Sequence, residues 1–195
     1  MNPHISSEHL RAILERHEPW RPRRGAELRQ AVSFFLLVDR EETNALLVKK
    51  RESPGYIWSA QIGMIGGFVE EEDTDHLSAA FREFEEELQI DPGELEVLGD
   101  LGQFASTIAN ANLHVFLARW SGRGEMKPDP NEIDHMVEVP LSLLARVHEE
   151  SGFAGANPVA VGRALAYPVD SGEIWGVTAR VIHVLMELLA SGEEA

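Results

Sequence analysis

The run AVSFFLLV, from Ala31 to Val38, limits the fold of this chain more than any other stretch. It is apolar and continuous. It falls far short of the roughly 18–20 residues of a membrane span, but it has the length of a strand, so it reads as a buried strand. DREETN follows as a turn, and ALLVKK (Ala45 to Lys50) as a second strand, which together predict a hairpin.

Further strands are expected at Leu95 to Leu101, at Leu113 to Trp120 and at HMVEVP, His135 to Pro140. DSG, Asp170 to Gly172, reads as a hairpin turn. Helices are expected over residues 6–17, over LSLLARVHEE (Leu141 to Glu150) and over Val177 to Ala190. In the first, Ser6 or Ser7 caps the helix, and Leu10, Ile13 and Leu14 share a face. In the last, Val181, Val184, Leu185, Leu188 and Leu189 form the core face. Pro19 and Pro22 end the first helix, and RPRR (Arg21 to Arg24) is a small positively charged linker. Interspersed strands and helices with hairpin-like connections predict an α+β fold, a mixed sheet with helices packed on it. At 195 residues the chain suits one substantial domain, placed at residues 30–195 after an N-terminal helix and linker at 1–29.

The formal net charge of −16 argues against a general nucleic-acid binder, which needs an excess of Lys and Arg to neutralise phosphates. An anionic small molecule remains open as a substrate if a local basic patch or divalent cations reverse the field. The absence of cysteine removes thiol catalysis, zinc–thiolate sites and disulfides. The N-terminus MNPHISSEHLRAILERHEP has no apolar core of the signal-peptide type. The expectation is a cytoplasmic protein without a membrane partner.

AAFREFEEELQI, Ala79 to Ile90, carries the chemistry. At about 100° per residue, Leu77, Phe81, Phe84 and Leu88 form one apolar stripe. Glu83, Glu86 and Glu87 are spaced i, i+3, i+4 and gather on the far side, with Arg82 next to Glu86. Glu85 lies between the two faces and reads as solvated. Such a face is either plainly solvated or a site for a hard cation, which prefers carboxylate oxygens and removes their mutual repulsion. The preceding Gly66–Gly67 pair lets a ligand approach the backbone and favours the second reading.

REFEEELQI, Arg82 to Ile90, resembles the second half of the Nudix hydrolase box: Arg-Glu-apolar-x-Glu-Glu-x-Gly-apolar. Gln89 replaces the glycine. In the first half, Gly67 sits one residue farther from Arg82 than the general pattern has it, and Thr74 occupies the glutamate position. The extra residue resembles the coenzyme A pyrophosphatase branch. So do LLVKKRE (Leu46 to Glu52), AQIGMIGG (Ala60 to Gly67), KPDPNEIDHMVEVPLSLL (Lys127 to Leu144) and EIWGVTARVIHVL (Glu173 to Leu185). Against that branch, Trp58 stands near a usual histidine, Ile65 replaces a proline and Ala60 a glycine.

The resemblance implies the Nudix fold, a mixed β-sheet flanked by helices in an α-β-α sandwich. It implies a pyrophosphatase dependent on Mg²⁺ or Mn²⁺ that acts on a small-molecule nucleotide-diphosphate substrate, coenzyme A first. The alternatives are ADP-ribose or another nucleoside diphosphate derivative, or an inactive Nudix-fold binding or regulatory module. By the same carry-over, Glu83, Glu86, Glu87 and the Gly66 carbonyl hold the metal, and Arg82 orients a carboxylate. Glu70, Glu71 and Glu72 read as an exposed loop charge run, with a stand-in for the missing box glutamate among them as the alternative. Glu132 is an extra ligand or general base. Lys49, Lys50 and Arg51 are either a solvated strand end or, with Gly67, the groups that meet the phosphates, and a homodimer is allowed. Trp175 and Phe116 read as core residues and His114 as a core histidine; His135 and His183 show no spacing of a metal pair.

Overall fold

A computed structural model describes residues 4–21, 28–55, 58–106, 109–158 and 164–193. The RPRR linker from Pro22 onward lies outside the described residues. The elements are α1 (Ser7–Arg16), β1 (Arg29–Asp39), β2 (Thr43–Lys50), β3 (Ile62–Gly63), α2 (His76–Leu88), β4 (Leu95–Ser106), β5 (Ala111–Trp120), β6 (Ile133–Pro140), α3 (Leu141–Glu150), β7 (Ala166–Val169), β8 (Gly172–Trp175) and α4 (Gly176–Glu193).

The predicted hairpin is present, with Leu36 opposite Leu46. Six strands form one mixed sheet in the order β3-β2-β1-β5-β4, with β6 also on β2. β1 and β5 run parallel, and the other pairs are antiparallel. β6 occupies one edge of β2 from Asn44 to Lys50, so β1 and the short β3 share the other. β3 was not expected from the sequence, since two residues carry no period. β7 and β8 form a separate hairpin that turns at residues 170–171, within the expected DSG.

Both faces of the sheet are covered, which is why AVSFFLLV is apolar throughout. Phe35, Leu37, Ala45 and Leu47 face a core shared with α1, α3 and α4. Val32, Phe34, Leu36, Leu46 and Val48 face a second core closed by Ala79, Ala80, Phe84 and Leu88 of α2. The α-β-α sandwich is therefore written as period-two alternation within an unbroken apolar run. α1 is capped by Ser6, and Leu10, Ile13 and Leu14 sink into the first core as expected. β4 runs past the expected Leu101 to Ser106. Register shifts at Val97/Gly99 and Asp100/Gly102 let it bend while staying paired with β5.

One discontinuity positions the site. β1 pairs with β2 only from Leu36 onward. Before that, the glycine-rich segment takes the same edge: the Phe34 N–H donates to the Ile65 carbonyl at 3.0 Å and the Val32 N–H to the Gly67 carbonyl at 2.9 Å. Gly66 lies between these two bonds with φ +146°, and a Cβ there would stand 2.1 Å from the Val32 carbonyl oxygen. Only glycine allows that approach. The loop is thus stitched into the sheet directly before α2.

Candidate active site

α2 starts at a capping box, where Asp75 accepts from the Ser78 N–H and Ser78 answers at the Asp75 N–H. The predicted stripe anchors it: Phe84 and Leu88 are fully buried, Leu77 and Phe81 half-buried. Phe34 meets Phe81 and Phe84 edge-on, at centroid distances of 5.3 and 6.4 Å. The helix ends at Gln89, a left-handed C-cap with φ 54° whose N–H bonds the Glu85 carbonyl. Glycine is the residue that takes this conformation without strain, so the departure from the box at Gln89 falls where the backbone asks for glycine. The same holds for Ala60, at φ 55°.

Arg82 organises the exposed side of the helix. Its Nη1 donates to Glu83 Oε1 at 2.9 Å and to Glu86 Oε2 at 3.1 Å. Its Nε and Nη2 grip both oxygens of Asp73 at 3.1 and 3.0 Å, and Nη2 also reaches the Phe68 carbonyl. Arg82 is expected to orient a carboxylate; its guanidinium meets three carboxylates and a backbone carbonyl. Asp73 holds the Arg82 guanidinium well above its ordinary range, and Arg82 holds the Asp73 carboxyl below its own.

Asp73 was missed by the sequence reading, although a signal was there. The box places its first acid six positions after the glycine and eight before the arginine. Counted from Gly67 that position is 73; counted back from Arg82 it is Thr74. The extra residue splits the two counts, and the fold uses Asp73. Glu70, Glu71 and Glu72 are exposed and Thr74 donates to Ser78 Oγ, so among these the clamp on Arg82 is made by Asp73.

The three candidate ligands differ in burial. The Glu86 side chain is 59% exposed. Glu83 is mostly buried and presses on the loop, where a Cβ at Gly67 would lie 2.5 Å from each of its oxygens. Glu87 is buried, against the expectation of a shared outward face. It pairs with buried Lys50, whose ammonium also stands 3.7 Å from Glu132 Oε2. Burial raises Glu83, partly offset by Arg82. Burial also pushes Glu87 up to about 7, although Lys50 pulls it down. Lys50 is therefore a buried partner of carboxylates. Arg51 is exposed and donates to the Pro130 carbonyl, while Lys49 is half-buried. Glu85 is exposed, as expected.

Beside this cluster is a cavity of about 80 Å³. Lys50, Gly66 and Gly67 belong to its wall, and Gly67 also lies against Glu83. Trp58 and Trp175 line it too. Trp175 is 38% exposed, which corrects its reading as a core residue; it sits on β8, just where α4 begins. Phe116 is half-buried against Phe34 and His114. His114 is half-buried, with Nε2 2.9 Å from Asp100 and Nδ1 2.9 Å from His76.

The donor set fits a hard divalent cation. Its side-chain donors are all carboxylate oxygens. The second oxygen of Glu87 is buried without a hydrogen-bond partner among the described residues, an acceptor that an ion would satisfy.

The NUDIX domain family matches residues 27–160, more than half of the chain. The chain belongs to the Nudix family. It is 35% identical, over an alignment 196 positions long, to the uncharacterized Nudix hydrolase NudL of Escherichia fergusonii, covering 92% of this chain and 94% of that one. It is 26% identical to the chloroplastic Nudix hydrolase 22 of Arabidopsis thaliana, covering 85% of this chain and 56% of that one. The mitochondrial Nudix hydrolase 15 of the same plant is 27% identical, and this chain spans 58% of its length. The chain thus spans little more than half of these two plant relatives. In fold it is similar to DR0079 from Deinococcus radiodurans, with TM-score 0.52, 20% identity and coverage of 83% and 87%. It is also similar to an Ap4A hydrolase of C. elegans, with TM-score 0.51, 16% identity and coverage of 63% and 89%.

Proposed function

We propose that the chain is a Mg²⁺- or Mn²⁺-dependent pyrophosphatase that hydrolyses the diphosphate of coenzyme A or a related nucleoside diphosphate derivative. The observation that carries this reading is the junction of two features at one loop. Glu83, held by Arg82, and the tryptophan-walled cavity both border Gly67.

Glu83, Glu86 and Glu87, with the Gly66 carbonyl, would hold the cation. When bound, it neutralises phosphate oxygens and lowers the pKa of a bound water. Arg82 fixes the rotamers of Glu83 and Glu86, an ordering that Asp73 locks from behind. Glu132, half-exposed, accepts the proton of the attacking water. Water adds to one phosphorus, the P–O bond of the anhydride breaks, and the other phosphate departs. With coenzyme A the products are 4'-phosphopantetheine and adenosine 3',5'-bisphosphate. Lys50, in the cavity wall, and its neighbour Arg51 would meet the phosphates.

ADP-ribose is the second reading, because Trp58 and Trp175 would stack a purine from either molecule. A substrate panel with Mg²⁺ and with Mn²⁺ decides between them: coenzyme A, acetyl-coenzyme A, ADP-ribose, NADH, diadenosine polyphosphates and nucleoside triphosphates, with product masses measured. Cleavage of coenzyme A to the two named products is expected. Preferential cleavage of ADP-ribose would transfer the assignment, and silence across the panel would favour a binding module.

A further inference from the structure

On the face of the sheet opposite α2, the sequence reading found no metal pair for His183. The fold brings His148 of α3 together with His183 and Glu187 of α4, with one ligand atom from each within 4.8 Å of the others. His183 and Glu187 stand i, i+4 on one side of α4. His148 and His183 are buried, with ring centroids 4.9 Å apart. The Glu187 side chain is 38% exposed, so the cluster opens to solvent on one side only.

We propose that His148, His183 and Glu187 form a second metal site, for a borderline transition-metal ion of the Zn²⁺ class, separate from the oxygen-only site on α2. Two imidazoles and a carboxylate are a donor set for such ions, whereas Mg²⁺ prefers oxygen.

Three observations support it. The first is an orphan. His183 is buried, and its Nδ1 has no hydrogen-bond partner among the described residues. Buried polar atoms left unpaired are rare and costly, and an ion would satisfy this one. The second is the outer layer. His148 Nδ1 lies 2.8 Å from the hydroxyl of fully buried Tyr167, which leaves Nε2, 2.7 Å from Glu187 Oε1, as the ligating nitrogen. Binding replaces the Nε2–Glu187 hydrogen bond and changes the tautomer: the proton moves from Nε2 to Nδ1, and the Tyr167 oxygen turns from donor to acceptor. Such a hydrogen bond to the far nitrogen is the usual support of a metal-bound imidazole. The Gly155 N–H, at 2.9 Å, steadies the Glu187 carboxylate. The third is distance. Metal–ligand bonds near 2.0–2.1 Å imply about 3.4 Å between tetrahedral ligand atoms, so ligand atoms now within 4.8 Å of one another close by at most ~1.4 Å, while the His148–Glu187 pair opens from 2.7 Å to admit the ion. A fourth position would face solvent beside Glu187.

The test is Zn²⁺ binding to the full chain by equilibrium dialysis in excess Mg²⁺, which holds the α2 site. Bound metal is counted by plasma mass spectrometry, and the Co²⁺-substituted protein is read by visible absorption. Wild type should retain one equivalent of Zn²⁺ and show the intense bands of four-coordinate Co²⁺. Glu187→Gln, at a half-exposed position, and His183→Asn should each lose that equivalent while keeping the circular-dichroism spectrum of wild type. Absence of Mg²⁺-resistant Zn²⁺ in wild type overturns the proposal. So does an undiminished equivalent in folded Glu187→Gln, which covers the case in which His183→Asn fails to fold.

Discussion

The two faces of the sheet carry polar clusters of different construction. On the α2 face, Arg82 and its partners Glu83 and Glu86 come from one helical turn, four residues apart at most. On the other face, His148 and Glu187 meet across 39 residues, and Tyr167 enters from a hairpin between them. Short-range spacing puts the first cluster in the sequence as a readable pattern. The second exists only once α3, β7 and α4 have packed. The faces also differ in what holds them. Asp73 and partly exposed Arg82 make a charge-assisted fork, whereas His148 and Tyr167 are buried partners against the apolar core. A change in the first cluster should therefore be felt in turnover, and a change in the second in stability.

The largest predicted effect tests that division on the α2 face. Glu86→Gln should lower kcat about 10³-fold, the scale expected for removing a preorganised polar group at a reacting centre. The mutant should unfold like wild type, because Glu86 is exposed. Wild-type turnover in steady-state assays would take Glu86 out of the site.

On the other face, Tyr167→Phe should cost about 1–2 kcal/mol in urea denaturation, since it removes the buried hydroxyl that pairs His148. Its kcat should not change. A mutant equally stable but catalytically impaired would reverse the division between the faces.

The clamp at Asp73 gives a smaller, pH-dependent signature. Hydrogen bonding to Arg82 lowers its carboxyl below the ordinary 3.8. A depressed carboxyl contributes stability that is fully present above the unfolded value and is lost as pH falls through the folded one. Asp73→Asn should therefore flatten the acid limb of the stability profile below about pH 4. An acid limb identical to wild type would show that Asp73 is not the acid that holds Arg82.

The smallest effect concerns the C-cap. Gln89→Gly should stabilise the protein by about 0.5–1 kcal/mol, because glycine takes φ 54° without strain, partly offset by its looser unfolded chain. Destabilisation would mean that the glutamine side chain holds the helix end in a way the backbone does not show.

Much of the fold was legible because its signals are local. AVSFFLLV gave a central strand, and each of the expected helices formed. The stripe of Phe81 and Phe84 correctly oriented α2. What escaped depended on contacts made at a distance. Glu87 was placed on an outward face by helical geometry alone, yet Lys50, at the end of a strand 37 residues earlier, accompanies it into the interior. Trp175 reads in the sequence as a core aromatic. Its exposure follows from a position on β8 at the mouth of the cavity. Asp73 was hidden by a single extra residue in the loop, which a count from the glycine end would have uncovered.

The central claim is that the carboxylates of α2 act by holding a divalent cation. It is tested most directly by following diphosphate cleavage by the wild-type protein before and after EDTA, and again after Mg²⁺ or Mn²⁺ is returned. The account predicts abolition by EDTA and recovery with either ion. Cleavage that continues undiminished in metal-free buffer would contradict it.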